Sequence, residues 1–360
     1  MPMSLLQVNL LYSVLVAGLA CLLTVAGMPS IIFTAVKHRL LDNLDVYRKT
    51  HRIHICRLGG IAIFFSFTIT TLLFAAMVDY KQANFLITSC IILFAVGLKD
   101  DLYGVNAMTK LLLQLTVAII LVVVGGFRLT SLYGVFYIWE TDLIGGSIFS
   151  IVVIIFVNNA FNLIDGVDGL AGTLGALATL SFGIFFAIAN ELPYAFIAFA
   201  MFGSIVGFLT FNYSPAKIFM GDSGSLILGL VSVVLAIKFI ELNKISSIAN
   251  PSFYSAPSIA VAVLLVPIFD SLRVFFIRIL HRKSPFKGDR NHVHHRLQRL
   301  GFTANQVVMA LGTFTVLMIL LALSLQVIGN FLLISFLLVI CIAFNIIISY
   351  KIGKIEFDGS

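Results

Sequence analysis

The chain has 360 residues, of which 60% are hydrophobic and 11% charged, and its mean hydropathy is +1.08. A soluble domain carries about 25% charged residues, so an ordinary water-soluble protein, a disordered chain and a secreted disulfide scaffold are all excluded. The formal net charge is +7, and its meaning depends on where the charges fall.

A membrane helix needs about 20 mostly apolar residues. In chain order, about eleven such segments appear: Leu5–Val36, Gly59–Val78, Asn84–Leu98, Leu111–Phe127, Leu143–Phe161, Leu170–Asn190, Leu192–Phe211, Leu226–Ile240, Ser258–Phe276, Val307–Ile328 and Phe331–Tyr350. No charge precedes Lys37, so the first segment lacks the basic leader of a cleavable signal and is expected to persist as a helix. The predicted fold is an all-α polytopic membrane protein of about 11 transmembrane helices, with residues 1–360 forming a single domain. Cys21, Cys56, Cys90 and Cys341 show no CxxC spacing, which speaks against a metal knuckle.

Loop charges set the expected topology. If the loop after the first span is cytosolic and the sides alternate, 19 of the 23 Lys and Arg residues fall on the cytosolic side. That is the positive-inside pattern. It predicts an N-terminus outside and a C-terminus in the cytosol. The positive charge is then a property of the inner surface, suited to anionic lipid or a phosphorylated ligand, and gives no argument for nucleic acid. Tyr133, Tyr137 and Trp139, on the outer side, read as interfacial aromatics.

Most carboxylates also gather on the expected cytosolic side, where charges near a membrane helix must be paired, hydrated or metal-bound. The first group is Lys99-Asp100-Asp101 at the end of the third span. Adjacent acids repel unless a cation sits between them, and Mg²⁺ is usually held by one or two carboxylates with phosphates and waters. A solvated helix end neutralised by Lys99 would also account for the pair. The second group is Asn158-Asn159-Ala160-Phe161-Asn162-Leu163-Ile164-Asp165-Gly166-Val167-Asp168-Gly169. Gly166 and Gly169 are expected to break the helix into a loop whose amides and carboxylates could read a nucleobase and ribose.

The third group, Gly221-Asp222-Ser223-Gly224-Ser225, opens the eighth span. Helix N-termini favour anions, and Asp222 or Ser223 could alternatively serve as an N-cap. The fourth is the long loop ending in Asp289-Arg290-Asn291-His292-Val293-His294-His295-Arg296. No Cys accompanies the histidines, which argues against zinc. Arg and His beside carboxylates suit diphosphate binding better.

Together these elements resemble the polyprenyl-phosphate N-acetylhexosamine-1-phosphate transferases, over about Asp45 to Arg299. Residues 158–172 (NNAFNLIDGVDGLAG), 219–226 (FMGDSGSL), Asp100-Asp101, 267–273 (PIFDSLR) and 292–296 (HVHHR) occur in the order of that family. The His-x-His-His-Arg form looks like the branch acting on UDP-N-acetylglucosamine. Arg48-Lys49 match the end of an Asp-x-Pro-Asn-x-Arg-Lys pattern frequent in the family, but the Pro-Asn is missing here, where Asp45-Val46-Tyr47 precedes them.

The resemblance implies transfer of a sugar-1-phosphate from a UDP-sugar donor to undecaprenyl phosphate, releasing UMP and initiating a lipid-linked surface polysaccharide. It implies Mg²⁺, with Mn²⁺ as a substitute, held by Asp222, Asp101 and Asn162. Asp100 and Asp101 would hold metal or deprotonate the acceptor phosphate, with an orienting or metal role favoured. Asn162, Asp165 and Asp168 would hold the uridine part. His294, with His292, His295 and Arg296, would hold the donor diphosphate. Lys49, Arg57 and Lys110 would contact acceptor or donor phosphate. The implied setting is a bacterial inner membrane with a cytosolic active site, and a homodimer stays open. The alternatives are a phospho-N-acetylmuramoyl-pentapeptide transferase and, in another class, an ion-coupled transporter. A transporter site would lie near the bilayer midplane between internal repeats, and neither feature is visible.

Overall fold

A computed structural model describes residues 5–40, 55–75, 77, 82–244, 253–281 and 291–358. Among these residues the fold is helical throughout, with one isolated bridge, Ser131 to Glu140. The helices in chain order are α1 (Leu5–Lys37), α2 (Gly59–Ala75), α3 (Ala83–Tyr103), α4 (Ala107–Ile119), α5 (Leu143–Ile164), α6 (Leu170–Ile188) and α7 (Leu192–Asn212). They continue with α8 (Gly221–Leu242), α9 (Ala256–Val263), α10 (Leu265–Leu280), α11 (Val293–Arg299), α12 (Ala304–Ser324) and α13 (Asn330–Asp358). A π-helical turn, Ile120–Val124, extends α4.

Every expected apolar segment lies on this helical framework, but the tally differs. Among the described residues eight helices are long and apolar enough to cross a bilayer, or nine if α9 and α10 count as one bent span. The shortfall from eleven has a local cause. Helix α2 has 17 residues, near the lower limit for a span, and α3 carries Lys99, Asp100 and Asp101 inside its last turns. The α9–α10 pair bends by 77°. Pro267 explains the bend, since its ring clashes with the carbonyl four residues back and removes an N–H from the ladder.

Local signals start several helices. Asn106 Oδ1 accepts from Met108 N at 3.1 Å to open α4, and Asp142 Oδ2 accepts from Ile144 N and Gly145 N at 3.2 and 3.1 Å to open α5. Thr303 and Gln306 form a reciprocal capping box at α12.

Helices α7 and α8 form the centre of the bundle, with most residues buried, whereas α1 and α13 expose rows of Leu, Ile and Val. Helices apolar all round are expected of membrane spans. Without a hydrophobic driving force in lipid, small residues and close approach bind the helices together. Gly60 of α2 and Gly97 of α3 both lie against the first turn of α8, and a Cβ at Gly97 would stand 2.6 Å from Ser223 Cα and N. The start of α8 is thereby clasped by two helices at the end of the molecule where the carboxylates gather.

Candidate active site

Helix α8 begins at Gly221, whose φ is 73°, a region that favours glycine. A Cβ there would also lie 2.6 Å from Asp101 Oδ2. The segment before α2 holds this start in place. Gly59 N donates to Phe219 O at 2.9 Å, Gly60 N to Met220 O at 2.8 Å, and Phe219 N to Cys56 O at 2.9 Å.

The first N–H groups of a helix lack partners and carry the positive end of its dipole. Here the acceptor comes from another helix. Asp101 Oδ1 accepts from Asp222 N at 2.7 Å and Oδ2 from Ser223 N at 3.0 Å. The residue at the cap position, Met220, makes no side-chain bond. Capping of α8 by its own Asp222 or Ser223 is therefore not how this helix starts, and the Asp222 carboxylate is left for other work. Lys110 Nζ of α4 donates to Asp222 Oδ2 and, at 3.5 Å, to Asp100 Oδ2. Asn162 Nδ2 of α5 donates to Asp222 Oδ1 at 3.0 Å and to Ser225 Oγ at 3.0 Å. Asp100 Oδ1 meanwhile accepts from Val105 N at 2.5 Å, which closes the turn between α3 and α4. The two adjacent acids thus have different structural tasks.

The expected break after Asn162 is present. Helix α5 ends at Ile164, and α6 begins at Leu170 after Gly169, with φ 78°. This loop is stitched to the segment after α7. Asn212 Oδ1 accepts from Gly169 N at 2.9 Å while its Nδ2 donates to Ile218 O at 2.8 Å, and Asp168 Oδ2 accepts from Ala216 N at 3.3 Å. Burial raises the Asp165 carboxyl well above its ordinary range. The Asp101 charge adds to this, Arg57 opposes it, and Asp168 adds further. Asp165 therefore shares one electrostatic environment with both acid groups and with Arg57.

The histidines reach the same loop from α11. Asp270 of α10 accepts from Val293 N at 2.8 Å through Oδ1 and bonds His292 Nδ1 at 2.8 Å through Oδ2. Arg273 completes the group at 3.0 Å from Asp270 Oδ1. The His292 ring lies parallel to that of His294, with centroids 5.7 Å apart. His294 sits on the acid loop, so close that a Cβ at Gly166 would stand 2.7 Å from its Nε2. Burial, reinforced by the charge of His295, pushes the His294 imidazole down to about 3. It is a neutral ring at physiological pH, and its buried Nδ1 has no hydrogen-bond partner among the described residues.

The structure thus brings together Asp100, Asp101, Lys110, Asn162 and Asp222, with Asp165 and Asp168 in the neighbouring loop and His292 and His294 against it. Other predicted residues lie differently. Lys49 is outside the described residues. Arg57 is exposed beside the α8 start, and His295 is half-buried, its Nδ1 3.4 Å from Gln298 Oε1. The Arg296 guanidinium is engaged on α13, where it donates to Asn345 Oδ1 and, at 2.5 Å, to Ser349 Oγ. It anchors the histidine helix instead of facing the acids. Among the described residues no three His, Cys, Asp or Glu side chains converge to hold a metal, although the expected set of Asp222, Asp101 and Asn162 includes an amide. Sequence reasoning gave no role to Asp270, Asn212 or Gln114. Gln114 is a polar residue within an apolar run, which in a membrane helix is itself a signal, while Asp270 and Asn212 belong to polar stretches whose other members drew the attention.

Comparison with known proteins finds relatives along most of the chain. Residues 83–240 match the family described as Glycosyl transferase family 4, a stretch that begins with α3 and ends near the close of α8. A probable undecaprenyl-phosphate N-acetylglucosaminyl 1-phosphate transferase of Bacillus subtilis strain 168 is 29% identical over 302 residues, covering 83% of this chain and 81% of that protein. The undecaprenyl-phosphate alpha-N-acetylglucosaminyl 1-phosphate transferase of Yersinia pestis is 29% identical over 283 residues, covering 76% and 73%. Its namesake in Escherichia coli K12 is 27% identical over 279 residues, covering 76% and 72%.

Proposed function

We propose, from the premise that residues 83–240 form a Glycosyl transferase family 4 domain, that this multi-pass membrane protein transfers N-acetylglucosamine-1-phosphate from UDP-N-acetylglucosamine to undecaprenyl phosphate. An oxygen of the acceptor phosphate attacks the phosphorus that carries the sugar. The bond from that phosphorus to UMP breaks, and UMP leaves. One phosphoanhydride replaces another, so the demand on the protein is positioning and charge neutralisation. A phosphate monoester has a second pKa of about 6, so the acceptor is already nucleophilic near neutral pH and requires no dedicated base.

The donor set around Asp222 fits Mg²⁺, with Mn²⁺ as a substitute. Asp222 offers a carboxylate, Asn162 an amide oxygen not used by its donated bonds, and Asp101 a second carboxylate hydrogen-bonded to the Asp222 N–H. The Lys110 ammonium already stands beside Asp222 as a positive charge. Mg²⁺ usually takes one or two carboxylates and completes its shell with phosphate and water, so a three-carboxylate cage is not required. Bound there, the ion would neutralise charge on the reacting phosphates.

The remaining roles belong to the chain itself. Lys110, released from Asp222, contacts phosphate. Asp165 and Asp168 hold the uridine end, on the stitched loop beside α6. His294 acts as a neutral hydrogen-bonding ring toward the diphosphate, its Nδ1 having no hydrogen-bond partner among the described residues. On the alternation of the eleven expected segments, 19 of 23 basic residues fall on one side, a positive-inside bias that supports a cytosolic active site in a bacterial inner membrane.

The observation that carries this reading is the meeting of Lys110, Asn162 and Asp222, from three helices, on the α8 start held by Asp101. Asp222→Ala should abolish transfer, assayed as UMP release, while the protein remains in the membrane. Near-normal turnover in that variant would remove the metal assignment.

A further inference from the structure

One helical turn deeper in the bundle, two side-chain amides and a backbone carbonyl repeat the pattern of the site above them. Gln114 of α4 follows Lys110 by four residues, Asn158 of α5 precedes Asn162 by four, and Leu226 of α8 follows Asp222 by four. At this spacing residues on a helix share a face. Gln114 Nε2 donates to Asn158 Oδ1 at 3.1 Å and to Asn159 Oδ1 at 3.3 Å, and Asn159 Nδ2 donates back to Gln114 Oε1 at 2.9 Å. Asn158 Nδ2 donates to Leu226 O at 2.9 Å. Gln114 and Asn158 are buried. The Asn158 Cα also approaches Gly229 of α8 so closely that a Cβ there would stand 2.9 Å away.

We propose that Gln114, with Asn158 and Asn159, is a positioning residue for the transfer reaction, setting the register of α4, α5 and α8 so that Lys110, Asn162 and Asp222 meet. The reasoning is geometric. In a low-dielectric interior every one of these amide groups needs its partner, so the three helices have few rotations and slides that satisfy them all. Lys110 has a long flexible stem, which by itself fixes nothing. Both donor hydrogens of Gln114 and its carbonyl are committed to α5, and α5 is committed to α8. A turn or slide of α4 that displaced Lys110 would break at least two of these bonds. A buried side-chain bond elsewhere in the bundle, Ser66 Oγ to Ser204 Oγ at 2.9 Å between α2 and α7, has no site residue one turn away.

This inference rests on the proposed transfer reaction, and its test separates the two. Gln114→Met keeps the volume and removes all three bonds. It should lower kcat by about 10- to 100-fold, the range expected of a displacement of about 1 Å, with the KM for UDP-N-acetylglucosamine changed less than about twofold. Ser204→Ala should leave kcat unchanged. Combined with Lys110→Met, the Gln114→Met change should cost nothing further, because the residue it positions is gone. A Gln114→Met enzyme with wild-type kcat, or one whose loss multiplies fully with that of Lys110→Met, overturns the proposal. If Gln114→Met does not fold, Asn159→Ala takes its place in the same cycle. A wild-type protein inactive toward UDP-N-acetylglucosamine would refute the reaction, and thermal unfolding of the same four proteins then decides the positioning: coupled shifts support it, additive shifts overturn it.

Discussion

Replacing Gly97 by alanine tests the clasp around α8 by sterics alone. A Cβ at this position would stand 2.6 Å from Ser223 Cα and N and 2.7 Å from the Asp222 carbonyl carbon. All three are backbone atoms, so no side chain can swing aside. Ordinary contact begins near 3.4 Å, and α3 must therefore move from α8 by about 0.8 Å, a strain of the kind that overpacking studies put at about 1–3 kcal/mol. Asp101 lies one turn further along α3 and moves with it. Its bonds to Asp222 N and Ser223 N, now 2.7 and 3.0 Å, would lengthen to about 3.5 and 3.8 Å, where a hydrogen bond is effectively lost. With both effects, Gly97→Ala should destabilise the protein by about 2–5 kcal/mol. It should also reduce UMP release about 100-fold, as a misplacement of this size does elsewhere. Gly18→Ala in α1 is the control, since nothing lies within 4 Å of its added carbon and alanine is favoured over glycine in a helix by about 1 kcal/mol. Thermal unfolding in detergent and a UMP-release assay measure both quantities. If Gly97→Ala matches Gly18→Ala in both, α3 and α8 do not approach as described.

Lys110→Met should tighten Mn²⁺ binding in the absence of donor by about fivefold, the equivalent of an ion pair worth about 1 kcal/mol, while transfer falls. Electron paramagnetic resonance titration reads the affinity, and unchanged or weaker binding would show that the ammonium does not compete with metal at Asp222. Asp165 gives a pH dependence. Its folded-state pKa is raised by burial above the unfolded value of about 3.9, so its contribution to stability is full below that value and declines as pH rises toward the folded pKa. The melting temperature of the metal-free wild type should therefore fall with pH more steeply than that of Asp165→Asn, and parallel curves would contradict the burial assigned to this carboxyl.

The spans were legible because apolar length is a property of contiguous sequence, and each expected segment lies on a helix. Their number was less so. Whether the 17 residues of α2 or the charged end of α3 count as crossing depends on neighbours and depth, which hydropathy does not encode. At the site, the sequence marked several of the side chains that the fold brings together. Asp222, Asn162 and Lys110 meet, and the glycines of the Asp165–Gly169 loop break the helix where expected. Orientation was the hidden part. Asp101 faces the backbone of another helix, and Arg296 faces α13, because each side chain answers the nearest unsatisfied group, and which group is nearest is a fact of tertiary packing. Gln114 was overlooked because it stands in an apolar run, and Asp270, though part of the PIFDSLR stretch, was given no role because its partner is far off in sequence; the partners lie 44 and 22 residues away.

The attachment of Arg296 to Asn345 and Ser349 has a bearing on biosynthesis. The acids and amides gathered around Asp222 all precede residue 226, yet the turn bearing His292 and His294 gains a second anchor, beside Asp270, from Asn345 of α13, 49 residues beyond Arg296. A nascent chain can have those carboxylates assembled while the ribosome is still adding α13, and the histidine turn, held first by Asp270, gains its contacts to Asn345 and Ser349 only when α13 docks. Translation order thereby delays completion of this end of the bundle until α13 has entered the bilayer.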